Sequence, residues 1–189
     1  MRPLTLDERA ALLRIARQAL EEHLRGRGPD GLPEAPPSLQ EPRAAFVTLR
    51  SEGDLRGCVG SLEPTKPLPA TVAHCAVSAA LSDPRFPPVS PAELSRLTIE
   101  VSILSPLQPL EDTAQLILGV HGLCVKAGQQ RGVLLPQVAA EQGWDRETFL
   151  DSACRKAHLA ADAWRQGAEL HIFTAEVFGE AEPPGATLA

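Results

Sequence analysis

Ala45-Phe46-Val47-Thr48-Leu49-Arg50-Ser51-Glu52-Gly53-Asp54-Leu55-Arg56-Gly57-Cys58-Val59-Gly60 decides how the rest of the chain must be arranged. Its first half alternates, with Ala45, Val47 and Leu49 on one face and Phe46, Thr48 and Arg50 on the other. Ser51-Glu52-Gly53-Asp54 has turn composition, so two strands should fold back on each other as a hairpin. If the second strand is regular, Arg56 and Cys58 project from one side and Leu55 and Val59 from the other. A guanidinium beside a sulfur favours the thiolate, the form that attacks electrophiles. Gly57 and Gly60 remove Cβ bulk, which suits a bulge or the close approach of another molecule. The plainer reading is a small, inert cysteine flanked by strand bends.

Composition narrows the field. The 189 residues suffice for one well-cored domain, with 43% hydrophobic and 22% charged residues as in soluble globular chains. A net charge of −6 argues against nucleic-acid binding as the main activity, since phosphate contacts need a cationic excess. No apolar run approaches a membrane span and Met1-Arg2-Pro3 opens no signal peptide, so a cytoplasmic protein is expected. The four cysteines, Cys58, Cys75, Cys124 and Cys154, are scattered without a C-x-x-C pair, so they should be free thiols without a metal. The 18 prolines and the absence of Asn point to a thermophilic source.

Outward from the hairpin, Thr5-Leu6-Asp7-Glu8 has the form of a capping box. The helix it opens should bury a stripe of Leu6, Ala10, Leu13, Ala16, Leu20 and Leu24, and end at Gly26. Residues 25–42 form a Gly- and Pro-rich connector. A second helix, reaching about Leu81, should bury Leu68, Val72, Cys75, Ala76 and Ala79, and carry Thr71, His74 and Ser78 on a polar stripe. Leu97–Ser105 reads as a strand with Leu97, Ile99, Val101 and Ile103 facing in. A short helix near Asp112–Leu118 follows, then a hairpin of His121–Ala127 with Arg131–Leu135. A helix opening at Pro136 and a helix capped by Asp145 come next. Leu170–Phe178 should be one closing strand, and Pro183-Pro184-Gly185 a frayed tail.

The candidate chemistry gathers near Cys58. His74 is a possible general base if its stripe turns toward the hairpin, and otherwise a solvated histidine. Asp83-Pro84-Arg85-Phe86-Pro87-Pro88 is a stiff loop. It either holds Asp83, Arg85 and Phe86 as a ligand-binding wall, or caps the helix with Asp83 paired to Arg85 and Phe86 plugged into the core. Glu100 is a cleft carboxylate or an ordinary strand residue. Cys154 and His158 fall four apart but lack a third ligand.

Hairpins and helical connections without regular βαβ alternation indicate an α+β fold: a mostly antiparallel sheet with flanking helices, in one body or in two lobes with a cleft between them. Residues 1–182 should be a single domain and 183–189 its tail. No dinucleotide loop, phosphate loop or nucleophile elbow is present, so no cofactor is expected.

Leu55-Arg56-Gly57-Cys58-Val59-Gly60 resembles the signature of the AMMECR domain family, whose microbial members are the A component of AmmeMemoRadiSam systems. The likeness continues in order through Phe46-Val47-Thr48-Leu49, Asp83-Pro84-Arg85-Phe86-Pro87-Pro88, Ile99-Glu100-Val101-Ser102 and Arg131-Gly132-Val133-Leu134-Leu135-Pro136. It then runs through Trp144-Asp145 to Phe173-Thr174-Ala175 and implies the fold of that family. It also implies a Memo-like protein and a radical S-adenosylmethionine enzyme as partners, with any iron–sulfur chemistry belonging to the latter. With the resemblance, the leading expectation is a small enzyme or enzyme component of unknown reaction. Cys58 is its nucleophile or covalent carrier, Arg56 lowers the thiol pKa or grips an anion, and His74 or Glu100 moves protons. Gly57, Gly60, Asp83, Arg85 and Phe86 line the substrate site. The alternative is a non-catalytic adaptor.

Overall fold

The computed structural model describes residues 2–26 and 33–180; the Pro183-Pro184-Gly185 tail lies outside them. In chain order the elements are α1 (Leu6–Leu24), β1 (Ala45–Ser51), β2 (Asp54–Ser61), α2 (Leu68–Leu81), β3 (Leu97–Leu104), β4 (Gln108–Pro109), β5 (Gly122–Ala127), β6 (Gln130–Leu134), α3 (Pro136–Glu141), α4 (Arg146–Lys156), β7 (Glu169–Phe173) and β8 (Ala175–Gly179). They make an α+β fold with two four-stranded sheets, ordered β2-β1-β3-β8 and β4-β7-β5-β6. The chain divides into two compact units, one running to Leu104 and resuming at Glu176, the other spanning Ser105–Ala175.

In the first unit, α1 opens on the capping box its sequence announces. Thr5 Oγ1 accepts from the Glu8 N–H, and Glu8 Oε2 accepts from the Thr5 N–H. The buried stripe is Ala11, Leu12, Ile15, Ala16, Ala19 and Leu20, while Leu6 stands 80% exposed. The expected stripe was thus rotated by a fraction of a turn. A helix this rich in Leu and Ala offers several lines of three-and-four spacing, and packing selects among them. The α2 stripe holds at every position expected, and Thr71 is buried as well. α1 and α2 pack on each other and cover one face of the first sheet, where Val47, Leu49, Ile99 and Val101 are sealed from solvent. Each such side chain taken out of water contributes about 1.5–3 kcal/mol before entropy is counted. Arg9 pairs with Glu176 and Arg17 with Glu180, tying α1 to the β8 segment.

In the second unit, α4 lies over β5 and β6 and buries Phe149, Leu150, Ala153 and Cys154 against Leu123 and Val125. Asp145 caps α4 by accepting from the Thr148 N–H. The expected short helix near Asp112 is a single 3₁₀ turn, Thr113–Gln115. His158 lies beyond the end of α4 with φ 59°, so it does not share a helical face with the buried Cys154. The expected closing strand is two strands: β7 belongs to the second sheet and β8 to the first. Thr174 separates them, its N–H donating to Ser105 Oγ and its carbonyl accepting from the Ser105 N–H. No Gly or Pro in the sequence marks that point.

Candidate functional site

The turn between β1 and β2 sets the register from which the site is built. Glu52 and Gly53 both have positive φ, 55° and 89°, the combination a type I′ turn requires. Ser51 pairs with Asp54. Carried on unbroken, that register would set Cys58 opposite Val47, a residue of the sealed core. It breaks instead. The ladder passes from Arg50↔Leu55 to Leu49↔Gly57, leaving Arg56 as the extra residue of a β-bulge. Cys58 therefore stands opposite Thr48, and Thr48 opposite Glu100. Opposed residues share a face, so Cys58, Thr48 and Glu100 form a row on the side away from α1 and α2. Gly60, Phe46 and Ser102 form the next row. One inserted residue has moved the cysteine from the core face to the polar face.

Cys58 is held from two directions, at its sulfur and at its backbone. Thr48 Oγ1 donates to Cys58 Sγ at 3.3 Å, as the close approach of a directly opposed pair allows. β2 is an edge strand, and the Cys58 N–H donates to Asp83 Oδ2 at 2.8 Å. Asp83 sits just past the end of α2, with its side chain 3% exposed. Arg85 grips it with two bonds, Nε to Oδ1 at 2.9 Å and Nη2 to Oδ2 at 2.7 Å, and adds its own backbone N–H to Oδ1. The Arg85 guanidinium holds the Asp83 carboxyl down at about 2, with help from the Cys58 N–H and against the opposing effect of burial. Arg85 in turn is raised above its ordinary value, chiefly by Asp83 and to a smaller degree by the Cys58 sulfur. Phe86 is half-buried, 5.5 Å from the Arg85 guanidinium to its ring centre.

Arg56, the extra residue of the bulge, has no residue opposite it on β1, and its buried Nη1 has no hydrogen-bond partner among the described residues. Arg56 Nε donates to Glu93 Oε1 at 2.8 Å, and that guanidinium holds Glu93 down at about 2. Asp83, anchored by Arg85, reaches the Cys58 backbone. The glycines are filled from within the fold. A Cβ on Gly57 would stand 2.1 Å from the Ala79 carbonyl oxygen of α2, and one on Gly60 would stand 2.2 Å from the Phe46 ring. His74 is exposed on α2, on the far side of the sheet from the Cys58 side chain. Glu100 is half-buried, in the Cys58 row and two strands away, about 10 Å between Cα atoms.

Thr48, Glu93 and Ser102 were not anticipated. Thr48 was visible only as a residue of the polar face, and the unmarked bulge hid its pairing with Cys58. Ser90-x-x-Glu93 is a capping box in the sequence and in the structure, but nothing in it points to Arg56. Ser102 is 1% exposed, and its Oγ has no hydrogen-bond partner among the described residues. Of the four cysteines, Cys75, Cys124 and Cys154 are buried and Cys58 is partly open. Among the described residues no three metal-ligating side chains converge, and no helix is long and apolar enough to cross a membrane.

The AMMECR1 family model matches residues 13–178. A protein of Methanothermobacter thermautotrophicus is 48% identical, with 94% of this chain and 97% of that one covered. A protein of Aeropyrum pernix is 47% identical over 93% of this chain and 80% of its own. A solved structure from Pyrococcus horikoshii superposes with a TM-score of 0.86 at 40% identity, covering 92% of each chain. All three organisms are thermophilic archaea.

Proposed function

The chain belongs to the AMMECR1 family, and on that premise we propose that it is a small enzyme or enzyme component whose working group is the Cys58 thiol. The supporting observation is the bulge at Arg56, which turns that one cysteine out of the core onto a row with Thr48 and Glu100. In this reading Cys58 serves as the thiolate nucleophile, and Thr48 Oγ1–H stabilises the thiolate by donating to it. Glu100 accepts the released proton through bridging solvent. Arg85, half-exposed and fixed by Asp83, meets a negatively charged part of the substrate, with Phe86 beside it as an apolar wall. Arg56 and His74 take no part, the first being committed to Glu93 and the second lying across the sheet. The setting we assign is the cytoplasm, with a Memo-like protein and a radical S-adenosylmethionine enzyme as partners, as the family resemblance implies.

A second reading has its own support. Both guanidiniums near the site are already paired inside the fold, Arg56 with Glu93 and Arg85 with Asp83. That is what a rigid binding surface for those partners would need, with Cys58 serving only as packing. Alkylation of the native protein by iodoacetamide, followed by peptide mass mapping across pH, separates the two. The enzymatic reading expects Cys58 to react on the order of 100-fold faster than the three buried cysteines, which react only through opening of the fold. A silent Cys58, or one no faster than Cys124, leaves the adaptor.

A further inference from the structure

Across the sheet from the Cys58 sulfur, a cavity of about 270 Å³ opens between the end of β2 and the first turns of α2. It has room for about nine waters or a metabolite of similar bulk. Val59 and Cys75 form its inner side. The Cys75 thiol is neutral at pH 7, pushed up to about 11 by burial, and it points at the Ala45 carbonyl 3.7 Å away. The hydroxyls along the wall are turned to the backbone: Thr71 donates to the Lys66 and Pro67 carbonyls, and Ser61 donates to the Glu63 carbonyl. The cavity's carboxylate, Glu63, has an interaction of its own. Two donors remain. Lys66 and His74 both line the cavity, and neither side chain makes a hydrogen bond or ion pair among the described residues. The positive end of the α2 dipole lies beside them, beginning at Leu68.

We propose that this cavity binds a small molecule bearing an oxyanion, a carboxylate or a phosphate, gripped by Lys66 and His74. An ammonium and an imidazole beside a hollow backed by Val59 and the neutral Cys75 thiol favour an anionic head with a short apolar body. The site does not depend on the chemistry of Cys58, because the sheet separates the two.

The experiment is a titration of the whole chain with inorganic phosphate, and separately with succinate, followed by proton–nitrogen correlation spectra. Saturable shifts confined to residues 59–66 and 71–75 are expected, with a Kd on the order of 1 mM. Whichever probe binds more tightly identifies the head group. Lys66→Gln and His74→Gln should each weaken binding roughly tenfold while leaving the spectrum of the rest of the fold unchanged. Both variants should alkylate at Cys58 at the parental rate, so the failure of this site and the failure of the thiol reading are separately visible. Shifts scattered over surface cations, or an affinity indifferent to both substitutions, would overturn the proposal.

Discussion

The two hairpins of this molecule solve the same packing problem and end with cysteines of opposite character. In each, a strand glycine lies under a helix: Gly57 beneath Ala79 of α2, and Gly132 beneath Ala153 and Ala157 at the end of α4. In each, the cysteine stands on the face away from that helix. The β5–β6 hairpin turns at Gly128-Gln129, with positive φ at Gly128 alone, the type II′ pattern. Its register then runs unbroken from Ala127↔Gln130 to Leu123↔Leu134. Cys124, between Val133 and His171, is 1% exposed. The β1–β2 hairpin begins as regularly, but the bulge at Arg56 resets the ladder, and Cys58 arrives half-open beside a hydroxyl. Helix-on-glycine packing is therefore the shared scaffold, and the bulge is what distinguishes the candidate site.

The largest effect should come from the shared feature. A Cβ at Gly57 would lie 2.1 Å from a backbone oxygen, and one at Gly132 would lie 2.4 Å from the Ala153 carbonyl. Backbone cannot swing aside as a side-chain tip can, so the helix must lift from the strand. Gly57→Ala and Gly132→Ala should each destabilise by about 3 kcal/mol, read from urea midpoints. A loss under about 1 kcal/mol at either glycine would break the parallel between the hairpins.

The next test concerns what only the first hairpin has. Asp83 seals the free edge of β2 at Cys58, whereas Cys124 sits on an interior strand and needs no such cover. Asp83→Ala leaves an edge N–H without its acceptor and Arg85 without its anchor, a loss of about 2 kcal/mol. The pH dependence follows from the depressed carboxyl. Its folded value is about 2 against an ordinary 3.8, so the stabilisation is present above pH 4 and disappears as pH falls toward 2. With Arg85 half in solvent, that component is about 1 kcal/mol. Asp83→Asn should flatten the acid limb of a stability–pH profile between those limits. An unchanged limb would mean that Asp83 is not the group titrating there.

These particulars show why the sequence was informative in some places and mute in others. The capping boxes, the α2 stripe, the hairpin and the inward face of β3 follow from local chemistry, and all were legible. The bulge was not. Arg56 carries no mark distinguishing an inserted residue from a paired one, yet it determines that Cys58 faces Thr48 and that its own guanidinium goes to Glu93. Asp83 and Arg85 were visible as a pair, but their hold on the Cys58 backbone joins residues 25 apart and needs the fold to exist first. The break at Thr174 shows only as a phase shift, with apolar residues passing from Leu170 and Ile172 to Phe173, Ala175 and Val177, and no Gly or Pro marks where the chain changes sheets.

The smallest effect is the most discriminating. Thr48→Val keeps the branched shape and removes only the hydroxyl that donates to Cys58 Sγ, so stability should change by less than about 1 kcal/mol. If that bond stabilises the thiolate, its loss slows alkylation at neutral pH by several-fold. The rate at high pH, where every accessible thiol is ionised, should stay the same. A bond that merely positions the side chain would leave the pH midpoint in place and alter the rate equally at all pH values. Cys124 has Val133 as its neighbour in the same relation that Thr48 bears to Cys58. The variant therefore gives the first hairpin the apolar pairing of the second. A Cys58 that stays reactive with an unshifted midpoint would show that exposure, and not the hydroxyl, separates the two cysteines.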